Sequence, residues 1–519
     1  MVNESRTVEE TPQETALERR RRERAEHRKR DREDRERRWQ EECQKIQDED
    51  GEWGKECAEY ATGTPWVIAP EKLKPIETVE SLAAHLYLAA QVEMSTIPLY
   101  LYAAWSIRTK GYSQWAPGKD RGPFRTILGV AIEEMSHLAL VRNLIVAIGY
   151  GDKDIEIGEN KITRVKFYDE NFVPRFPRYM LHRQPPLCLG LHRLSTPLLE
   201  CAFMPLEKPQ PPPLTLYASI EHETYHTLGE FYEAIWEGFE CLDRERGKSL
   251  WEECHPELQY YRGYWNQFGG GTTLRVTDLN TAQKALTQII EQGEGAEGTT
   301  VPLDPTNPRA GLEDWSHYEK FRRLAEGIDG MGIRDGSLKQ DISIDHPLAT
   351  WPVISNPRTE DYENCDFQPL MELFNAAYCY VLAMLDEIYA TPAIYPKEIE
   401  ELNRMRDPDE KENRNRRYGL ERSFVAAMQG LLYPIADLLV RTPTGRKKDK
   451  VKYKYRDQDK SVECEVPGNA GPPFEYYEFA KGKSKKAELV TLCKKAMEKY
   501  PALAGDDGVL RQINLLTEV

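Results

Sequence analysis

Several things are scarce or missing in this sequence of 519 residues. It holds ten cysteines, scattered from Cys43 to Cys493, and no CxxC pair. That pattern is neither a disulfide framework nor a zinc ribbon. No window reaches about 18 uninterrupted apolar residues, so no membrane span is expected. The first residues, MVNESRTVEE, contain no apolar h-region, so no secretory signal is expected and a cytoplasmic setting with reduced thiols is the default. Positive charge is also in deficit, with 70 Lys+Arg against 86 Asp+Glu and a net charge of −16. That balance argues against a bulk nucleic-acid binder, which must neutralise phosphates with clustered cations. Strand signals are few, no repeat of fixed period is seen, and neither a P-loop nor a Rossmann glycine pattern occurs in a βαβ setting.

What remains is mostly helical material with an uneven charge distribution. Residues 19–38 carry 12 Arg/Lys and 6 Asp/Glu, a local +6 that leaves −22 on the rest. With almost no apolar residues, this stretch reads as a solvated helix laced with ion pairs or as a disordered arm. The organisation expected is a charged arm over 1–70, a bundle over 76–330, a helical extension over 331–484 and a C-terminal helix and tail over 485–519. Residues 78–107 and 123–148 are the strongest helices, the first N-capped by Thr78 and the second closed by Gly149. Residues 165–213 are rich in Pro and aromatics and read as a long ordered connection. Further helices are expected at 214–242, 281–292, 312–325, 368–390, 420–441 and 485–499.

Acids and histidines inside the apolar helices mark the chemistry. Glu93 sits at the centre of a helix that otherwise reads as pure core, where an unpartnered carboxylate costs several kcal/mol. Glu134-Met-Ser-His137 places a carboxylate and an imidazole three residues apart, on one helical face. Together they are the ligand types for iron, manganese or zinc. A Glu on one helix and ExxH on the next is the first half of a di-metal carboxylate bundle. For the second half the chain offers Glu230 and the Asp314-Trp-Ser-His317 run. Glu294 competes with Asp314 for one position. Tyr100, Trp105, Tyr225 and Tyr232 line the expected bundle, mostly as packing, with one or two as hydrogen-bonding groups near the site. Cys201, Cys241 and Cys379 read as core cysteines.

A rival motif is His222-Glu-Thr-Tyr-His226, a literal HExxH, which in zinc metalloproteases pairs two histidine ligands with a glutamate base. It leaves Glu93 and the first ExxH unexplained, and it has no third ligand at a suitable distance downstream.

The runs VEMSTIPLYLYAAWSI, AIEEMSHLALVRNLIVAIG, TLGEFYEAI, IIEQGEG and SHYEKF, followed by WPVISNP, FNAAYCYVLAML, AMQGLLYPIADLL and GNAGPPFEYYEF, resemble the ferritin-like domain of the iminophenyl-pyruvate dimer synthase family, which includes violacein- and rebeccamycin-type biosynthetic proteins. The resemblance spans about residues 76–480. It implies a mostly α, ferritin-like four-helix bundle with extra C-terminal helices and long connections. It implies two iron ions, with manganese as the alternative. Glu93, Glu134 and His137 match the first-half ligand motifs; Glu230, Glu294 and His317 fall in the second-half motifs. Large members carry a further domain not matched here. The expected partners are O2 and a small aromatic or amino-acid-derived substrate, with no membrane. A homo-oligomer or a partner enzyme of a biosynthetic pathway is also consistent with the family.

Overall fold

The computed structural model describes residues 75–108, 122–157, 160–162, 165–180, 187–208, 227–260, 273–294, 300–302, 313–327, 344–393, 408–455 and 458–519, with a few positions between 37 and 55. Helix α1, Val79–Trp105, starts where the Thr78 side chain accepts a hydrogen bond from Ser81 N at 3.1 Å. All its residues except Glu80 and Ser81 are buried, as an all-round apolar helix requires, and it runs on past Pro98. Helix α2, Pro123–Ala147, opens on a proline whose missing N–H costs nothing at that position. It closes in a Schellman motif: Gly149 (φ +79°) donates to Val146 O at 3.1 Å and Tyr150 N to Ile145 O at 3.0 Å.

Two short antiparallel hairpins follow, β1 Ile155–Ile157 with β2 Asn160–Ile162, and β3 Arg178–Tyr179 with β4 Cys188–Leu189. Helix α3 then begins at Thr196–Leu198, widens into a π-helical turn at Leu199–Phe203 and ends at Met204–Leu206. This helix lies within the stretch expected to be only a connection. Pro197 and Pro205 mask it in the sequence, but Pro197 stands in the first turn and Ser195 caps the start. Helix α4, Leu228–Arg246, is capped by Thr227, and α5 spans Leu279–Glu294. The strands β5 Thr300–Pro302 and β6 Glu313–Trp315 pair just before α6, His317–Glu326.

Helices α1, α2, α4 and α5 form the bundle: α1 packs on α2 and α4, and α5 on α2 and α4. Helix α7, Gln368–Ala390, packs on α8, Pro408–Ala427, on the π-turn Met428–Leu432 and α9, Tyr433–Arg441, and on α10, Lys485–Met497. Helix α9 reaches α1, and α11, Val509–Leu515, lies on α10. The extension expected to be helical also contains a long hairpin, β7 Pro443–Tyr455 with β8 Gln458–Asn469. Among the described residues one helical run, Arg416–Arg441, is long and apolar enough to cross a membrane, and half of its apolar window is buried against the rest of the fold.

Two cysteine expectations change. Cys201 forms a disulfide with Cys43, so part of the arm expected to be solvated is fastened to the π-turn of α3. Beside it Gln47 is buried, donates to Cys188 O and Cys201 O and accepts from Cys188 N. Cys379 is buried as expected, whereas Cys241 is only half-buried on α4.

Candidate metal centre

The helices bring four carboxylates and two imidazoles into one buried pocket. Glu93 comes from the middle of α1, and Glu133, Glu134 and His137 come from α2. His317 is the first residue of α6, and Glu207 follows the last turn of α3. None of the six is more than 3% exposed. Glu93, Glu134 and His137 offer ligand atoms within 4.8 Å of one another, and so do Glu134, Glu207 and His317. Glu134 belongs to both groups. Its Oε1 lies 3.7 Å from His137 Nδ1 and 2.8 Å from His317 Nδ1, between the two rings. Those rings stack with centroids 5.5 Å apart.

Each carboxylate of the two groups turns one oxygen inward and gives the other to a hydroxyl. Glu93 Oε1 accepts from Tyr232 of α4, while its Oε2 faces His137 Nδ1 at 3.6 Å. Glu207 Oε1 accepts from Tyr100 of α1, while its Oε2 faces His317 Nδ1 at 3.7 Å. Glu134 Oε2 accepts from Thr96 Oγ1 at 2.8 Å.

The outer ring nitrogens are held as well. His137 Nε2 lies 2.9 Å from Gln292 Oε1 of α5, an acceptor that requires the proton on Nε2 and leaves the Nδ1 lone pair facing the carboxylates. His317 Nε2 lies 2.8 Å from Glu133 Oε2, which also accepts from Lys320 Nζ at 2.6 Å. This orients both imidazoles for Nδ1 ligation, the arrangement in which outer partners fix the ligand tautomer.

The electrostatics describe a site short of positive charge. Burial pushes the Glu93 carboxyl up to about 7. Burial, followed by the Glu207 and Glu93 charges, pushes Glu134 up to about 8. Despite burial, Lys320 and His317 hold Glu133 down to about 2. Glu207, also buried, is held below the usual carboxylate range by His317 and Tyr100. Burial lowers His137, whereas the surrounding Glu133, Glu134 and Glu207 raise His317 well above its ordinary value in spite of burial. The His317 Nδ1 atom is buried without a directed hydrogen bond although carboxylate oxygens surround it. A divalent cation satisfies that nitrogen and lets the crowded carboxylates ionise together, so the donor set fits a pair of metal ions of the iron, manganese or zinc type.

Of the residues proposed from sequence, Glu93, Glu134, His137 and His317 converge. Glu230 does not join either ligand group: it stands half-buried in the first turn of α4, two residues before Tyr232, which is what that turn sends to the site. Asp314 lies in β6, and Ser316 caps α6 so that the helix begins only at His317. The i, i+3 argument that joined Asp314 to His317 needs a continuous helix and fails here. The side chains of Asp314 and Glu294 lie outside the described residues, as do His222, His226 and Tyr225. Glu294 ends α5, which among the described residues brings Gln292 to the site. The carboxylate that sequence reading missed is Glu207. Its signal was an acid closing the apolar run LLECAFMPLE, obscured by the prolines around it.

Residues 86–326 match the family model described as Ferritin-like, and they contain every residue of the centre. The chain carries a ferritin-like domain. A dichlorochromopyrrolate synthase from Lentzea aerocolonigenes is 26% identical over 418 residues, covering 73% of this chain and 36% of that protein. A 2-imino-3-(indol-3-yl)propanoate dimerase from Chromobacterium violaceum is 24% identical over 420 residues, covering 74% of this chain and 35% of that protein. The chain thus spans about a third of the length of the curated relatives it matches. A ferritin-like protein from Caulobacter vibrioides, solved by crystallography, aligns at a TM-score of 0.37 with 18% identity, over 62% of this chain and 91% of its own. Among the described residues α1 and α2 bring the candidate ligands Glu93, Glu134 and His137, α4 and α5 place Tyr232 and Gln292 behind them, and the short helices α3 and α6 bring Glu207 and His317.

Proposed function

We propose that the ferritin-like domain holds two iron ions, or iron with manganese, and is an oxidoreductase that uses O2 on a small aromatic or amino-acid-derived metabolite. The observation that carries this reading is the shared position of Glu134, one carboxylate common to two buried ligand groups. A reduced di-metal pair, when bound, supplies electrons to O2 and the oxidising power that acts on the substrate.

The chain's own residues prepare the site for this. Glu93, Glu134 and Glu207 bring three negative charges to two divalent cations, while Glu133 and Lys320 cancel each other. The assembly is thus close to neutral, as a buried site needs. Tyr232 and Tyr100 donate to Glu93 and Glu207, and each hydroxyl can hold or pass a proton at its carboxylate as the charge of the centre changes. Thr96 holds the outer oxygen of Glu134 and keeps its inner oxygen between the histidines. Burial of all these groups excludes bulk water. The names of the two curated relatives, a dichlorochromopyrrolate synthase and a 2-imino-3-(indol-3-yl)propanoate dimerase, support a small-molecule substrate of biosynthetic character.

The test is elemental analysis followed by anaerobic loading with Fe(II) and exposure to O2. Two iron equivalents and an O2-dependent optical change, both lost in Glu134→Ala, support the proposal. Full loading with no response to O2 assigns a metal-binding protein instead. A single zinc lost on His222→Ala or His226→Ala assigns the protease reading.

A further inference from the structure

On the other flank of α1 and α2, where the C-terminal helices pack, the fold leaves a second, half-open space. It is a cavity of about 430 Å³ between α1, α2, α7 and the α8–π-turn–α9 run. That volume lies within the roughly 300–1,000 Å³ of small-molecule sites. Nine of its lining side chains are aromatic, among them Trp105, Tyr378 and Phe474, and three are methionines, Met94, Met135 and Met428. Among the described lining residues none is charged. A carboxylate or ammonium placed here would lose its hydration with no counter-charge in return.

One further observation separates this space from ordinary imperfect packing. One wall is built by the π-turn Met428–Leu432, through Met428, Gln429 and Leu432. Such turns are rare and occur frequently at functional sites. Methionines adapt their shape to a guest, and the flat aromatic walls suit a planar one.

We propose that this cavity is a binding site for a neutral, planar aromatic molecule. The site is separate from the carboxylate centre. Met94 and Met135 line it one residue beyond Glu93 and Glu134, so it shares helices with the centre but not ligands. The proposal does not depend on which metal, if any, the centre holds.

The probe is 6-propionyl-2-dimethylaminonaphthalene, a neutral planar ketone whose emission reports polarity and hydrogen bonding. The full chain is expected to bind one equivalent saturably, with emission shifted to the blue of that in water. Val425→Trp, which fills the cavity from α8, should weaken binding at least tenfold with metal content and melting temperature retained. Leu382→Trp on α7 is a second filling variant should the first fail to fold. Glu134→Ala should leave probe affinity within twofold, whatever it does to metal content. Absence of saturable binding, or equal affinity in a folded filling variant, overturns the site. Equal affinity for 2-naphthoate, a planar carboxylate, overturns the selection for neutral guests.

Discussion

His317 and Glu133 are joined across α6 and α2 by a 2.8 Å contact from Nε2 to Oε2, and Lys320, one turn after His317, donates to the same oxygen at 2.6 Å. A single buried carboxylate therefore does two things. It holds His317 by its outer nitrogen, with Nδ1 turned to Glu134, and it neutralises a lysine that is 4% exposed. Glu133 thereby contributes to the centre without belonging to either ligand group.

Glu133→Gln separates these two roles. The amide cannot carry the charge that Lys320 needs, so removal of one partner from a buried pair should cost about 3–5 kcal/mol in unfolding free energy. Loss of the charged acceptor behind His317 should lower metal affinity about 10–100-fold. Adding Lys320→Met should recover most of the stability but not the affinity. Thermal unfolding of the metal-free protein and a metal titration measure the two effects. Recovery of both by the second substitution would show that Glu133 serves only as the counter-charge of the lysine.

Glu207 and Glu230 are rival candidates for the third carboxylate beside Glu93 and Glu134, and their alanine variants should differ sharply. Glu207→Ala removes a ligand from the group it shares with Glu134 and His317, so metal content should fall from two equivalents to about one or less. Glu230→Ala, at a half-buried position outside both groups, should keep both equivalents. Elemental analysis after gel filtration decides it, and the reverse outcome would place Glu230 in the centre.

Metal uptake should depend steeply on pH. Burial raises Glu93 to about 7 and Glu134 to about 8, so both carboxyls hold protons near neutrality and lose them when a cation enters. Affinity should therefore rise, and protons should be released, between pH 6 and pH 8.5. The metal-free protein should behave in the opposite way. A carboxyl whose folded pKa is raised favours the folded state below its unfolded value, and that advantage is lost as pH rises through the folded one. Melting temperatures without metal should thus decline from pH 6 to pH 8.5, and the increment produced by Mn(II) should grow over the same interval. An increment that does not change with pH would mean that these two carboxyls are already ionised.

Reducing the Cys43–Cys201 bond should loosen the fold, because it closes a loop with a sequence separation of 158 residues. Typical bridges contribute about 2–4 kcal/mol, the larger values for longer loops. Cys43→Ser should lower the denaturant midpoint accordingly, and reductant should then have no further effect. An unchanged midpoint would show that Gln47 and its backbone partners hold the arm without the bridge.

The helices were legible wherever local rules suffice. Thr78 and Gly149 bracket α1 and α2 as their types predict, and Glu93, Glu134 and His137 stand out because an acid in an apolar helix needs a partner. The second half of the site was less legible. Asp314 and His317 have helical spacing, but the residue between them, Ser316, starts the helix, and spacing has no meaning across a cap. Helix α3 was hidden by its prolines, and with it Glu207. The β7–β8 hairpin does show the alternation Val451, Tyr453, Tyr455, which the surrounding lysines obscured in a region rich in charge.

The sequence by itself determined that this is a helical protein with carboxylates and histidines buried for a purpose, because burial of charge is expensive enough to be visible residue by residue. Which carboxylates meet was decided only by tertiary structure. Glu207 lies 73 residues beyond Glu134 and 110 before His317, and no local rule links them. They meet because α3 and α6 pack on each other beside the bundle, and because that packing places Glu134 between two imidazoles whose outer nitrogens Gln292 and Glu133 already hold.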